Sequence, residues 1–368
     1  MYIKSIVVAG LFGKSTPVIL HLNEDLNIIT GRNGSGKTTI LKLAWFIISG
    51  NILLALREVD FKSCTIETSE YTCTVIRTGP IHCKVELDVN GERSVLEDDE
   101  AADPDEPLGE SAEDKANPIL MTKGESIFFP TFRRIEGGFS MSLGRQRRTR
   151  NGARVENDID ESLSTLSRKL SNLGHIFVSA ISTQDIVSLL LRRYALYSEE
   201  INAYQGDVSK NVIEKIKHYQ QGEGYKQNAD DLLSETRAEI EKIETFRTET
   251  MKPLDAVREL VKKLFQHSGI LFDKRLSFGD AAAAIDSEAL SAGEKQLLSF
   301  ICYNAFYKNS VIFIDEPELS LHVDWQRQLY QILSNQGSGN QFIFATHSPF
   351  IYAKYPDKEV SVGMDRGE

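Results

Sequence analysis

The chain has 368 residues, 41 % of them apolar, so it can bury the core of one large domain or of a domain with an inserted lobe. Its net charge of −11 comes largely from ten acidic residues without a base between positions 97 and 114, which leaves room for a basic surface elsewhere. Four cysteines without a CxxC pair argue against a zinc site or a disulfide framework, and the interrupted apolar stretch 40–56 argues against a membrane span. We therefore expect a cytoplasmic protein with reduced thiols and no membrane contact.

The N-terminal quarter of the chain is predicted to be rich in strands. Apolar runs at 3–8, 18–22 and 26–30 indicate three strands, and a glycine-rich loop then leads into a helix from about residue 37 to 48. Residues 62–96 alternate between polar and apolar side chains and contain Asn90-Gly91, which predicts an antiparallel sheet with a tight hairpin. The acidic segment 97–118 has few large apolar side chains, so we expect a mobile loop there.

The middle of the chain is predicted to be mostly helical. A short strand at 126–129 runs into the stretch Pro-Thr-Phe-Arg-Arg-Ile-Glu-Gly-Gly, and residues 141–156 are basic and polar. From 159 to 266 the apolar residues recur with helical periodicity, interrupted near 175–179 and 222–224. Short apolar runs at 311–314 and 342–345 indicate buried parallel strands. The predicted fold is an α/β core built from residues 1–140 and 271–368, with a helical lobe inserted at 141–270.

Residues 31–38, Gly-Arg-Asn-Gly-Ser-Gly-Lys-Thr, have the pattern GxxxxGK[ST] between an apolar strand and a helix. Glycines let successive backbone N–H groups surround a phosphate, and the start of the helix adds its dipole. We expect Lys37 to neutralise the β- and γ-phosphates of ATP and the Thr38 hydroxyl to bind Mg²⁺. The predicted nucleotide-binding residues of this loop are Gly31, Arg32, Asn33, Gly34, Ser35, Gly36, Lys37, Thr38 and Thr39.

Two later apolar strands end in residues suited to ATP hydrolysis. Residues 311–314 lead into Asp315 and Glu316, and residues 342–345 lead to His347. A carboxylate at a buried strand end beside the phosphate loop can bind Mg²⁺, so Asp315 is the predicted metal ligand. Glu316 is the predicted general base, and His347 is expected to contact the γ-phosphate or the attacking water. The ordinary alternatives are an acidic turn after a strand and a structural histidine.

The segment 290–296, Leu-Ser-Ala-Gly-Glu-Lys-Gln, precedes an apolar helix. The Ser291 hydroxyl and the N–H groups of Ala292 and Gly293 at a helix N-terminus form a second candidate anion site, although the segment also fits a capped helix without a ligand. The segment resembles the signature of ABC ATPases in the form found in the SMC and RecF branch. That resemblance implies a P-loop core of ABC type that pairs head to tail, with Ser291 and Gly293 of one copy closing on the γ-phosphate held by the other.

Residues 317–326, Pro-Glu-Leu-Ser-Leu-His-Val-Asp-Trp-Gln, resemble the EPExxLHPxWQ form of RecF-like and OLD-like ATPases, with Val323-Asp324 where that family often has proline. The resemblance implies that residues 320–322 cross the dimer interface. It also implies a glutamine ligand after the strand at 126–129, but no glutamine is present there. Arg133, Arg134 and Glu136 are the candidates for nucleotide or lobe contacts in its place, and a structural turn is the equal alternative.

The helical region is too short for the coiled-coil arms of SMC proteins and too long for a transporter subunit. The chain ends shortly after His347, where OLD-type nucleases carry a TOPRIM domain. The architecture and the stretch TFRRIEGGF resemble the stand-alone OLD-like ATPases of bacterial anti-phage defence, of the PARIS type and secondarily the Septu type. That resemblance implies an ATP-gated sensor or scaffold that controls a separate effector, such as a TOPRIM-type nuclease.

Two other functions stay open on the sequence. A RecF-like repair ATPase would bind DNA phosphates through the five arginines between residues 145 and 154, a run that equally fits a solvated loop. A non-hydrolytic scaffold would only bind ATP, although the intact set of reacting groups argues against it. The acidic run 97–118 fits a solubilising segment, a nucleic-acid mimic or a site for a basic partner. The arginines of the basic run are Arg145, Arg147, Arg148, Arg150 and Arg154.

Overall fold

The computed structural model describes residues 1–99, 109–131, 134–135, 156–181, 183–221, 229–264 and 290–363. Several sequence predictions fall outside these ranges. They concern the acidic residues 100–108, the arginine run 141–155 and the glycine-containing interruption 222–224. Arg133 and Glu136 also lie outside the described residues, and of Arg134 only the backbone is described.

An antiparallel sheet of six strands forms one layer, in the order β2-β1-β4-β5-β6-β7. Its side chains alternate between one buried face and one partly exposed face, as the sequence predicts. The hairpin between β6 and β7 turns at Asn90 and Gly91, with φ of 55° and 86°, so the predicted tight turn is confirmed. The strands are β1 (Ile3–Ala9), β2 (Val18–His21), β4 (Ser63–Thr68), β5 (Tyr71–Arg77), β6 (Cys83–Val89) and β7 (Glu92–Leu96).

A second sheet of six strands is entirely parallel, in the order β10-β8-β12-β13-β3-β14. The predicted strands after residues 310 and 341 are direct neighbours, with Val311 opposite Gln341. Parallel strands place their carboxyl ends at one edge, so the residues that follow β3, β8, β12 and β13 converge there. The strands are β3 (Leu26–Thr30), β8 (Ser126–Phe129), β10 (His175–Phe177), β12 (Val311–Asp315), β13 (Gln341–Ala345) and β14 (Glu359–Ser361).

The helix that follows the phosphate loop is the centre of the core. Nine of the twelve residues of α1 (Lys37–Ile48) are buried. The Trp45 ring stacks on Phe128 of β8, with centroids 5.7 Å apart, and lies 5.4 Å from the Phe177 ring of β10. These aromatic contacts fix the helix, and therefore the loop before it, against the parallel sheet. Short strands β9 (Arg134–Ile135) and β11 (Ala180–Ile181) pair separately.

The predicted loop over 97–118 is wrong in its C-terminal part, where the chain forms α3 (Ala112–Met121). The Ser111 hydroxyl accepts a hydrogen bond from the Asp114 N–H and caps the helix, while acidic side chains in the first turn suit its dipole. Ala112, Ala116 and Leu120 lie on one face and are fully buried. Of the ten acidic residues, Glu113 and Asp114 therefore belong to the start of a helix, whereas the prediction for 100–108 lies outside the described residues.

The remaining helices divide between two compact units, one comprising Met1–Ser182, Ser291–Phe300 and Tyr307–Glu368, the other Thr183–Leu290 and Ile301–Phe306. The division lies at Thr183 rather than at residue 141, since β10 pairs with β8 in the parallel sheet of the first unit. The described helices not yet named are α2 (Ile52–Glu58), α4 (Glu156–Leu170), α5 (Thr183–Gln221), α6 (Ala229–Leu264), α7 (Ala292–Phe306), α8 (Val323–Ser334) and α9 (Pro349–Tyr352).

Two long helices dominate the second unit. The Tyr204 ring of α5 stacks on Phe246 of α6 at 4.2 Å, and the Lys215 ammonium lies 3.4 Å from the Glu235 carboxylate. Later residues of α5 thus meet earlier residues of α6, as in an antiparallel helical hairpin. Within the described ranges, no helix combines the length and the apolar character needed to cross a membrane.

A buried glutamine joins the two sheets of the first unit. The Gln341 side chain at the start of β13 accepts from the Ile3 N–H of β1 at 2.8 Å and donates to the Ile3 carbonyl at 2.7 Å. Its amide also donates to the Asn23 carbonyl at 2.7 Å. The amide thus substitutes for a strand's donor and acceptor pair, and it ties β13 of one sheet to β1 of the other.

Candidate nucleotide-hydrolysis site

The phosphate loop between β3 and α1 has the geometry of an anion site. Gly36 precedes the helix with φ of 97°, and a Cβ there would lie 3.0 Å from the Phe12 ring. The Ser35 hydroxyl is buried and has no hydrogen-bond partner among the residues that the structure describes. A buried donor beside a helix N-terminus is what a bound phosphate would satisfy, so the loop fits ATP.

Lys37 is held within its own loop. Its ammonium donates to the carbonyls of Gly31 at 3.0 Å and Arg32 at 3.3 Å, and to the His347 Nε2 at 2.6 Å. Burial lowers the pKa of Lys37, while the carboxylates of Glu316 and Asp315 act in the opposite direction. The side chain is therefore placed at the mouth of the loop, where it can exchange these partners for phosphate oxygens.

The carboxylate of Asp315 lies between two threonine hydroxyls. Thr38 Oγ1 donates to Asp315 Oδ1 at 3.1 Å, and Thr131 Oγ1 donates to Asp315 Oδ2. The described residues contain no cluster of three His, Cys, Asp or Glu side chains suited to a metal. Mg²⁺ characteristically takes only one or two protein carboxylates together with phosphate oxygens and water, so this all-oxygen set fits it.

Glu316 follows β12 in an unusual conformation. Its φ is 49°, and its N–H donates to the Ala345 carbonyl at 2.8 Å. Such a conformation is rare for a residue other than glycine and is commonly found at functional sites. Burial has the largest effect on the pKa of Glu316, and the neighbouring Glu318 and Asp315 carboxylates add to it, so that the pKa is raised to about 8. In its ionised form, a carboxyl group with a raised pKa is a stronger base than an ordinary carboxylate and is suited to accept a proton from water.

His347 follows β13 and reaches the same place. Its Nε2 contacts the Lys37 ammonium and lies 3.6 Å from Glu316 Oε1. Burial and the Lys37 charge lower the pKa of His347, so the ring is neutral and its Nε2 accepts the hydrogen bond from Lys37. The ring therefore links the phosphate loop to the candidate base.

A pocket of about 280 Å³ brings most of the predicted residues together. Gly31 and Arg32 instead line an adjoining pocket of about 180 Å³ that shares His347. Phe12 was not predicted from the sequence: it is 48 % exposed, has φ of 53°, and presents its ring to the larger pocket. The larger pocket is lined by Phe12, Asn33, Gly34, Gly36, Lys37, Thr38, Thr39, Glu316 and His347.

The signature segment is not part of that pocket's lining. Ser291 and Glu294 cap the start of α7 reciprocally: the Ser291 N–H donates to the Glu294 carboxylate, and the Glu294 N–H donates to the Ser291 hydroxyl. Gly293 is buried, and a Cβ there would lie 2.3 Å from the Ser320 carbonyl oxygen. The segment is thus a capped helix start that packs on the chain after β12. Ser291 is exposed and lies outside the pocket of its own chain.

The phosphate loop, the carboxylates after β12 and the histidine after the adjacent β13 are the groups expected in a P-loop nucleotide hydrolase, and the fold is an α/β core with inserted helices. A family model described as AAA ATPase domain matches residues 1–352. The chain therefore belongs to the AAA ATPase domain family.

The chain is also similar to individual proteins. The Retron Vc95 probable ATPase of Vibrio cholerae serotype O1 biovar El Tor is 30 % identical over 86 residues, which are 20 % of this chain and 17 % of that relative. The match thus spans less than a fifth of the relative's length.

Two similar solved structures are SMC heads. The SMC head bound to the C-winged helix domain of ScpA has 13 % identity and a TM-score of 0.46, with 99 % of this chain and 95 % of that chain covered. The SMC head domain with a coiled coil and joint from Pyrococcus yayanosii has 14 % identity and a TM-score of 0.44, with 100 % and 96 % covered.

Proposed function

We propose that this chain hydrolyses ATP at the pocket beside the phosphate loop. The observation that carries the proposal is the convergence of Lys37, Thr38, Asp315, Glu316 and His347 from three adjacent parallel strands. In this proposal the loop N–H groups and Lys37 bind the phosphates, and Thr38 and Asp315 hold Mg²⁺. Bound Mg²⁺ supplies neutralisation of the phosphate charge.

The reaction follows from the placement of two side chains. The Glu316 carboxylate orients a water molecule and takes a proton from it while the water oxygen bonds to the γ-phosphorus. The bond between that phosphorus and the bridging oxygen breaks, and ADP leaves with the electron pair. Once Lys37 turns from His347 to the phosphates, the Nε2 of His347 can carry the ring proton and donate a hydrogen bond to the transferred phosphoryl group. The exposed ring of Phe12 offers a flat surface on which the adenine ring of ATP stacks.

The proposed active unit contains two copies. Ser291 and Gly293 of one copy would close on the γ-phosphate bound by the other, since the hydroxyl and the helix N-terminus together favour an anion. Loss of the γ-phosphate would then loosen the pair. Support comes from the position of this segment outside the pocket of its own chain.

The biological role that we propose is an ATP-gated sensor in bacterial anti-phage defence, in which the pair holds or releases a separate effector nuclease. Support comes from the OLD-like sequence form of residues 317–326 and from the similarity to a protein named as a retron ATPase. The effector proposed is a TOPRIM-type nuclease.

The test is the mass in solution of the Glu316→Gln variant with ATP and Mg²⁺, alone and mixed with the product of the neighbouring gene. We expect a dimer or a larger even-numbered assembly that retains the second protein. The matched control is Lys37→Ala, which loses its phosphate contact and should keep the mass of the nucleotide-free protein. A monomer with ATP contradicts the shared site, whereas a dimer that retains no second protein contradicts only the control of an effector.

A further inference from the structure

One carboxylate oxygen holds three consecutive residues of the loop after β13. Glu318 Oε1 accepts hydrogen bonds from Thr346 Oγ1 at 2.7 Å, from the His347 N–H at 2.8 Å and from the Ser348 N–H at 3.0 Å. Glu318 lies on the segment that leaves β12, so these bonds join the carboxyl ends of two neighbouring strands.

Each of these three hydrogen bonds is stronger than a bond between neutral groups, because its acceptor is a carboxylate. Hydrogen bonds to an ionised acceptor are roughly twice as strong as those between neutral groups. The second oxygen of Glu318 is buried, with no hydrogen-bond partner in the part of the chain that the structure describes. The loop satisfies Oε1, and the nearby Glu316 carboxyl, with its raised pKa, is the group that can donate a proton to the Glu318 side chain.

A second contact joins the same two segments. Ser348 Oγ donates to Gln326 Oε1 at 2.7 Å, and Gln326 Nε2 donates to the Leu321 carbonyl at 2.9 Å. The loop is thus held on both sides of His347 by groups that follow β12. The position of the imidazole ring against Lys37 depends on them, since the backbone of His347 itself donates to Glu318.

We propose that Glu318 is the positioning residue that fixes His347 between the phosphate loop and Glu316. Glu318 does not line the pocket: it holds the loop through the loop backbone, and its side chain also contacts the Glu316 carboxyl, whose pKa it raises. This inference deepens the proposed function and rests on it for the catalytic role of His347, whereas the clamp itself can be measured without turnover.

The experiment compares Glu318→Leu with Glu318→Gln, which keeps an oxygen acceptor at the same place. Glu125→Leu is the matched control, because it removes a hydrogen-bonding carboxylate just before β8, at the opposite end of the same sheet. Amide hydrogen exchange at His347 is measured first. We expect protection to fall about tenfold or more in the leucine variant only, since that amide loses its acceptor.

Turnover at saturating ATP and Mg²⁺ is measured next. A displaced catalytic side chain lowers kcat by roughly a hundredfold, while the phosphate loop keeps its affinity for ATP. We therefore expect Glu318→Leu to lose kcat on this scale with ATP affinity unchanged, and Glu318→Gln to retain most of both. In the His347→Ala background, Glu318→Leu should cause a much smaller further loss of kcat, because the part of its effect that acts through the imidazole ring is already gone.

Three results would overturn the clamp: unchanged exchange at His347 in the leucine variant, losses that multiply with His347→Ala, or no rescue by glutamine. If Glu318→Leu does not fold, Thr346→Val removes one of the three bonds and should shift exchange and kcat in the same direction, by less. If the unmodified protein has no ATPase activity, the proposed function fails, and the exchange data still decide whether Glu318 holds the loop.

Discussion

His175 makes the stability of the first unit depend on pH in a calculable way. This histidine of β10 is fully buried, and its Nδ1 lies 2.8 Å from the Ser126 hydroxyl. Burial lowers its pKa to about 4 from an ordinary 6.5, while a backbone contact with Leu120 opposes that shift in part. Between pH 6.5 and pH 4, the His175 imidazole is therefore protonated in the unfolded chain but neutral in the folded chain. The free energy of unfolding consequently falls as the pH falls towards 4.

The size of the effect follows from the two pKa values. Each unit of separation corresponds to about 1.4 kcal/mol, so His175 alone should lower the free energy of unfolding by about 2 kcal/mol between pH 7 and pH 5. The matched variant is His175→Asn, whose amide oxygen can accept from Ser126 but does not titrate. Urea unfolding of both proteins at the two pH values, followed by tryptophan fluorescence, measures the difference between their pH slopes. Equal slopes would refute the assignment of this pH dependence to His175.

Three further predictions concern the nucleotide site. Phe12→Ala should weaken ATP binding roughly tenfold with kcat unchanged, since a stacked base contributes about 1–3 kcal/mol; titration with ATP and ADP measures it. Gly293→Ala should weaken ATP-dependent pairing, because its Cβ would meet the Ser320 carbonyl of the same chain at 2.3 Å and displace the helix start that the second copy is proposed to contact. Gly206→Ala, with no atom within 4 Å, should pair normally in light scattering. Thr131→Val should raise the Mg²⁺ concentration needed for half-maximal turnover about tenfold, because such partners orient the metal-binding carboxylate of Asp315; an unchanged requirement would contradict this.

Local patterns were sufficient to predict the elements that carry the phosphate loop. The strand at 26–30 and the helix from Lys37 to Ile48 have the predicted bounds, because an apolar run, glycines and an apolar helix each give a signal within a few residues. The two later strands were also predicted and are paired, although each is one residue longer than predicted, at Val311–Asp315 and Gln341–Ala345.

The helix α3 was not predicted because the acidic composition of segment 97–118 indicated a loop, and the helical pattern of its apolar residues was weak. Ser111 as a cap, acidic residues in the first turn, and Ala112, Ala116 and Leu120 on one face were all present in the sequence. Small apolar side chains give little periodic signal in an acidic background, although they pack closely once a partner surface exists.

Phe12, Thr131 and Glu318 were missed for another reason. Each acquires its role from a contact with a distant part of the chain: Phe12 with Gly36, Thr131 with Asp315, and Glu318 with the loop at 346–348. No spacing within the sequence encodes such contacts. Only the convergence of strand ends indicates where to look, and it favours Thr131 because that residue follows β8.

The glutamine that joins the sheets limits which part of the molecule can respond mechanically to the loss of a phosphate. Since Gln341 anchors the start of β13 to the backbone of Ile3, and the rest of the strand is hydrogen-bonded to β12 and β3, a lengthwise slide of β13 would break bonds in both sheets at once. β13 is therefore held in place along its whole length. If His347 shifts when the γ-phosphate is lost, the shift is confined to the residues that follow Ala345.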